Sequence, residues 1–150
     1  MRRTTAADLA VPFVIIGLTT WVLLKYAYSS LPPLQYIVPV PLAFLAVAEF
    51  IAARRVRAAV RHDPNAKPMA AIVIARCVAL GKASSLVGSG VAGAALALVV
   101  RTEPTAHTVH AAANDLRVGI ALLVVSLLLV AAGLMLERAG IDPNHDKQRD

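Results

Sequence analysis

Apolar residues fill four long runs of this chain, and the polar residues collect between them. The runs extend from about Ala7 to Tyr28, Tyr36 to Ala53, Met69 to Val100 and Val118 to Leu136. A helix needs ~20 mainly apolar residues to cross a hydrocarbon core ~30 Å thick. All four runs qualify as crossing helices, so the pattern predicts an all-α integral membrane four-helix bundle over residues 1–138. Trp21, Tyr26 and Tyr28 gather near the far end of the first run. The tail from residue 139 to 150 ends in "IDPNHDKQRD", which is charged and without apolar periodicity. Such a segment is expected to be a disordered cytoplasmic tail.

Proline punctuates the first polar stretch. Pro32 and Pro33 break any helix in "YSSLPPLQYIVPVP", while Pro39 and Pro41 fall in the first turns of the second run, where a missing amide donor costs little or produces a bend. The polar stretch before the fourth run, "RTEPTAHTVHAAANDLR", is short. Met1-Arg2-Arg3 before an apolar run imitates a signal peptide, with a conceivable cleavage motif around Ala27 to Ser30. The run from Leu9 to Leu24 is long for a signal sequence, so a retained helix is preferred.

Composition and charge sharpen this picture. The chain is 58% hydrophobic and only 16% charged, with mean hydropathy +0.68. Soluble domains are about half apolar and about a quarter charged. The net charge of +6 does not point to nucleic acid, because the cations flank the apolar runs. Arg2, Arg3, Arg54, Arg55, Arg57, Arg61, Lys67, Arg138, Lys147 and Arg149 fall on one side of the predicted topology, against Lys25, Arg101 and Arg117 on the other. The excess of positive residues marks the cytoplasmic side. Both termini are therefore expected to be cytoplasmic, in a multi-pass protein of the cell's inner (plasma) membrane.

The third run is the most informative. Gly81, Ser85, Ser89, Gly93 and Ala97 recur every four residues, with Ser84, Gly88 and Ala92 beside them. Small residues let helix backbones approach closely, which drives association where lipid offers no hydrophobic advantage. This stripe makes the third span the packing hub, against another span of the chain or against a second protein. Gly88-Ser89-Gly90-Val91-Ala92-Gly93 also reads as GxGxxG. A dinucleotide site needs a strand before the motif and an acidic residue ~20 positions on; neither is legible here.

The same run carries Arg76 and Lys82, and the second run carries Glu49. If the second and third spans form an antiparallel hairpin, Glu49 and Lys82 come within about 3 Å of axial height. An isolated charge in lipid costs several kcal/mol, so three outcomes are open: an ion pair, snorkelling of all three side chains to the surface, or a transport or proton-coupled role.

Other chemistry is sparse. His107 and His110 are spaced to share a helix face but have no acidic or cysteine companion, so a solvated loop is favoured over a metal site. Cys77, the only cysteine, reads as a small packing residue. Ser84, Ser85 and Ser126 lack a histidine base within any span and are expected to bond back to a helix. No catalytic set, metal or cofactor is predicted.

The opening "MRRTTAADL", the "PVP" entry to the second run and above all "ARCVALGKASSLVGSGVAG" resemble an uncharacterised family of small four-span actinobacterial membrane proteins, often encoded near folate-biosynthesis genes. The resemblance is densest from Arg76 through Gly93 and implies a membrane class and topology, not an activity. The expected function is that of a membrane accessory or scaffold protein, not an enzyme. Its expected partners are the lipid bilayer and another membrane protein or a second copy. A small transporter or lipid-carrier component built on Glu49 and Lys82 is the alternative.

Overall fold

The computed structural model describes residues 4–27, 35–61, 69–106 and 109–140. Four α-helices make up the architecture: α1 (Ala6–Ala27), α2 (Val40–Val60), α3 (Ala71–Thr102) and α4 (His110–Ala139). A 3-10 turn, Glu103–Thr105, follows α3, and there is no strand among the described residues. The all-α four-helix prediction therefore holds. Three helices, α1, α3 and α4, are long and apolar enough to cross a membrane.

The second helix corrects the predicted span. It begins at Val40 rather than Tyr36, and it runs on to Val60 through Arg54, Arg55 and Arg57. Residues 36–39 form a turn instead, with Pro39 and Pro41 at the helix entry. Alanine and arginine are both strong helix formers, so helix continues where hydropathy has already ended. The part of α2 clear of arginine, Val40 to Ala53, rises only roughly 21 Å, short of a bilayer core.

Local signals account for the other ends. Thr5 and Asp8 form a capping box at the start of α1: the Thr5 amide and hydroxyl both donate to Asp8 Oδ2 at 2.9 Å, and the Asp8 amide donates back to Thr5 Oγ1. α3 ends where Glu103-Pro104 tightens into the 3-10 turn. α4 begins eight residues before the predicted Val118, because the stretch from His110 is polar but rich in alanine.

The helices pack as a row. α1 lies on α3, α3 on α4, and α4 on α2, while α2 meets α3 only lightly and α1 does not touch α2 among the described residues. Close approaches fix the directions. Gly81 lies against Gly133, Gly88 against Ser126 and Val130, and Gly119 against Leu98 and Val99, so α3 and α4 are antiparallel. Ile16 lies on Gly90 and Gly17 on Gly93, so α1 and α3 run parallel. The Thr4 amide donates to Glu137 Oε1 at 2.7 Å, bringing the start of α1 and the end of α4 to one end of the bundle. Arg54, Arg55, Arg57, Arg61, Arg76 and Arg138 share that end; Lys25, Arg101 and Arg117 lie at the other. Arg2, Arg3, Lys67, Lys147, Arg149 and the tail from residue 141 lie outside the described residues.

Candidate functional site

The small-residue stripe is occupied within the chain, by two different neighbours. A Cβ placed on Gly81 would stand 2.6 Å from the Gly133 carbonyl oxygen, and one on Gly133 2.6 Å from the Gly81 carbonyl oxygen. Here α3 and α4 touch backbone to backbone, with Ser85 beside the crossing. Further along, a Cβ on Gly93 would collide with the Phe13 carbonyl oxygen of α1, and one on Gly90 with the Ile16 side chain. Gly81, Ser85 and Gly88 thus serve α4, whereas Gly90 and Gly93 serve α1. Helix geometry explains the division. Each step of four residues turns roughly 40° around the axis, so Gly93 points roughly 120° away from Gly81. A line of small residues that looks continuous in sequence wraps from one partner to the next.

The polar members of the stripe satisfy themselves. Ser85 Oγ donates to the Lys82 carbonyl at 2.9 Å and Ser89 Oγ to the Leu86 carbonyl at 2.8 Å. On α4, Ser126 Oγ donates to the Leu122 carbonyl at 2.6 Å. These hydroxyls are spent on their own helices, as expected for serine in an apolar helix. Gly88-Ser89-Gly90-Val91-Ala92-Gly93 lies in the interior of α3, with neither a strand nor a phosphate-binding turn before it.

Above the Gly17–Gly93 crossing the two helices diverge. They leave an apolar groove of about 410 Å³ walled by Phe13, Leu18 and Trp21 of α1 and by Gly93, Leu96 and Ala97 of α3. Buried Gly93 and Ala97 form its floor, and Leu18, Trp21 and Leu96 are its exposed walls. Lys25 sits over the Trp21 ring, 5.7 Å from its centroid, near the groove's outer end.

The charges predicted to lie within spans occupy different settings. Arg76 is exposed, and Lys82 is half-buried and has a partner. Glu49 is only 1% exposed. It projects from α2 toward the Ser84 hydroxyl of α3, yet neither of its carboxylate oxygens completes a hydrogen bond. Neither oxygen accepts from Lys82, although Glu49 faces α3 at Ser84; most of the surface on which α2 packs belongs to α4. Sequence reasoning missed two further buried acids, Asp115 and Glu137, both on α4. Glu137 of α4 is 4% exposed, and its Oε2 also has no partner. Its position in the last turn beside Arg138 reads as a solvated helix end, and only the return of Thr4 to that end buries it.

Cys77 is half-buried against the cluster of Ala53, Val56, Leu136 and Ala139, a packing position. His110 is exposed at the first residue of α4, and His107 lies outside the described residues. Among the described residues no group of three His, Cys, Asp or Glu side chains is placed to hold a metal.

Residues 9–143 match the family described as "Protein of unknown function (DUF3180)". The chain belongs to the DUF3180 family. The match spans α1 through α4, so the helix row described above is the architecture of the family's segment in this chain. No curated protein and no solved structure matches the sequence.

Proposed function

We propose that this DUF3180 protein is an integral membrane accessory or scaffold protein that takes a helix of another membrane protein, or of a second copy, into the groove between α1 and α3. One observation carries the reading: Leu18 and Trp21 of α1 and Leu96 of α3 stay exposed around an apolar groove beside the Gly93 crossing, while the small-residue face itself is filled by the protein's own helices. Small residues at a groove floor let an incoming backbone approach closely, the main source of helix affinity in lipid. The proposed setting is the plasma membrane with both termini cytoplasmic. It is supported by the gathering of six arginines at the end of the bundle where α1 begins and α4 finishes. The resemblance to actinobacterial four-span proteins encoded near folate-biosynthesis genes belongs to the same reading.

A photoreactive residue at Leu96 is expected to yield a protein adduct when irradiated in native membranes, and one at Leu128, on the exposed flank of α4, a much weaker one. Adducts to lipid alone at Leu96 would remove the docking reading. The buried Glu49 carboxyl favours a second reading, a small transporter or lipid-carrier component working through Glu49 and Lys82. In that case the double variant Glu49→Gln, Lys82→Met abolishes flux in liposomes; flux that persists eliminates this site.

A further inference from the structure

Two acids lie inside the bundle with carboxylate oxygens that complete no hydrogen bond: both oxygens of Glu49, which faces the Ser84 hydroxyl, and Oε2 of Glu137. Glu49 stands in an alanine-rich turn of α2, between buried Ala46 and Ala53. The α2–α4 cluster of Ala53 and Val56 with Leu136 and Ala139 sets the register and places Glu49 level with Ala132 and Gly133. The α3–α4 crossing carries the same height to Ser84 and Ser85. Glu137 lies about one turn nearer the arginine-rich end.

An ionised carboxylate in such a setting gives up its water for at most one neutral hydroxyl, that of Ser84, at a cost of several kcal/mol. A proton removes the charge and creates an O–H that the adjacent Ser84 hydroxyl can accept. We propose that Glu49 is a proton-binding site within the bundle, taking up and releasing one proton while the helices keep their places.

Every packed element contributes charged neighbours. From α3 come half-buried Lys82, which has a partner, exposed Arg76, and the Cys77 thiol. From α4 come Glu137 and exposed Arg138, and on α2 itself Arg54, Arg55 and Arg57 lead out of the bundle. None of them donates to Glu49. Glu137, held by the Thr4 amide through one oxygen and unpartnered at the other, is the next acid toward the arginine-rich end. This site is independent of the docking groove, which lies on the opposite side of α3 from α4.

Infrared spectroscopy of the full chain in phosphatidylglycerol vesicles tests the proposal. The wild-type spectrum should contain a protonated-carboxyl C=O band that disappears as pH is raised. That band should be missing from Glu49→Gln and retained in Glu137→Gln. Dicyclohexylcarbodiimide, which reacts with protonated carboxyls, should label Glu49 with a yield falling about tenfold or more from acid to alkali. The wild-type titration requires no variant to fold, and circular dichroism checks that Glu49→Gln keeps its helix content. A pH-invariant wild-type spectrum, or an unchanged titrating band in folded Glu49→Gln, overturns the proposal. Loss of the band on adding sodium at constant pH also overturns it, by assigning the site to a metal cation.

Discussion

Replacing Gly93 with leucine is expected to detach α1 from the rest of the bundle. The new Cβ would fall on the Phe13 carbonyl oxygen, with Phe13 C at 3.0 Å and Gly17 N at 3.2 Å. These are backbone atoms of a helix and cannot rotate aside. Overpacking a tight contact costs about 1–3 kcal/mol, and a leucine driven into backbone lies at the upper end of that range or beyond it. α1 has little to compensate, since α3 is the only helix it packs against among the described residues. The Thr4–Glu137 hydrogen bond ties the residues just before it to α4. The loss should therefore be local, leaving α3, α4 and α2 assembled. A disulfide between Ile16→Cys and Gly90→Cys, in a Cys77→Ser background, reports the α1–α3 contact. It should form readily in the parent and fail in the Gly93→Leu variant. Equal crosslinking in both would show that the two helices do not meet at this crossing.

The second large effect runs the other way. Glu49→Leu should stabilise the fold by about 1–3 kcal/mol, because it removes a buried polar group without partners and leaves an apolar side chain of similar size. Glu49→Lys, of comparable length but bearing a charge that resists neutralisation, should destabilise it. Reversible unfolding in mixed micelles measures both. A leucine variant less stable than the parent would mean that a donor reaches this carboxyl in the bilayer. Gain of stability together with loss of the titrating band would identify Glu49 as an acid retained at a cost to the fold, as expected where function rather than packing fixes a residue.

The helices themselves were legible because their apolar length is physically demanded, and α1 and α3 match the predicted runs to within about two residues at either end. The ends of α2 and α4 were not, since alanine and arginine sustain a helix that hydropathy cannot detect. Gly81 and Gly93 announced close packing through their spacing, yet the spacing could not say that they face different helices. That follows from the slow rotation of a four-residue repeat about the axis combined with the order of the row. The Glu49–Lys82 pairing rested on an α2–α3 hairpin of sequence neighbours, a sound general expectation. Here the glycines and serines of α3 admit α4 instead, and α2 is left to pack on the far side of α4.

The order of the row bears on how the protein is made. α1 and α2 emerge first from the ribosome, but the surfaces they will rest on belong to α3 and α4, which are synthesised last. During biogenesis the amino-terminal half has no helix–helix seam of its own. It must wait in the bilayer or with the insertion machinery until the carboxyl-terminal hairpin closes between its two members. A chain truncated after α2 should accordingly be degraded or held by chaperones, whereas the α3–α4 hairpin is the natural nucleus on which both early helices dock.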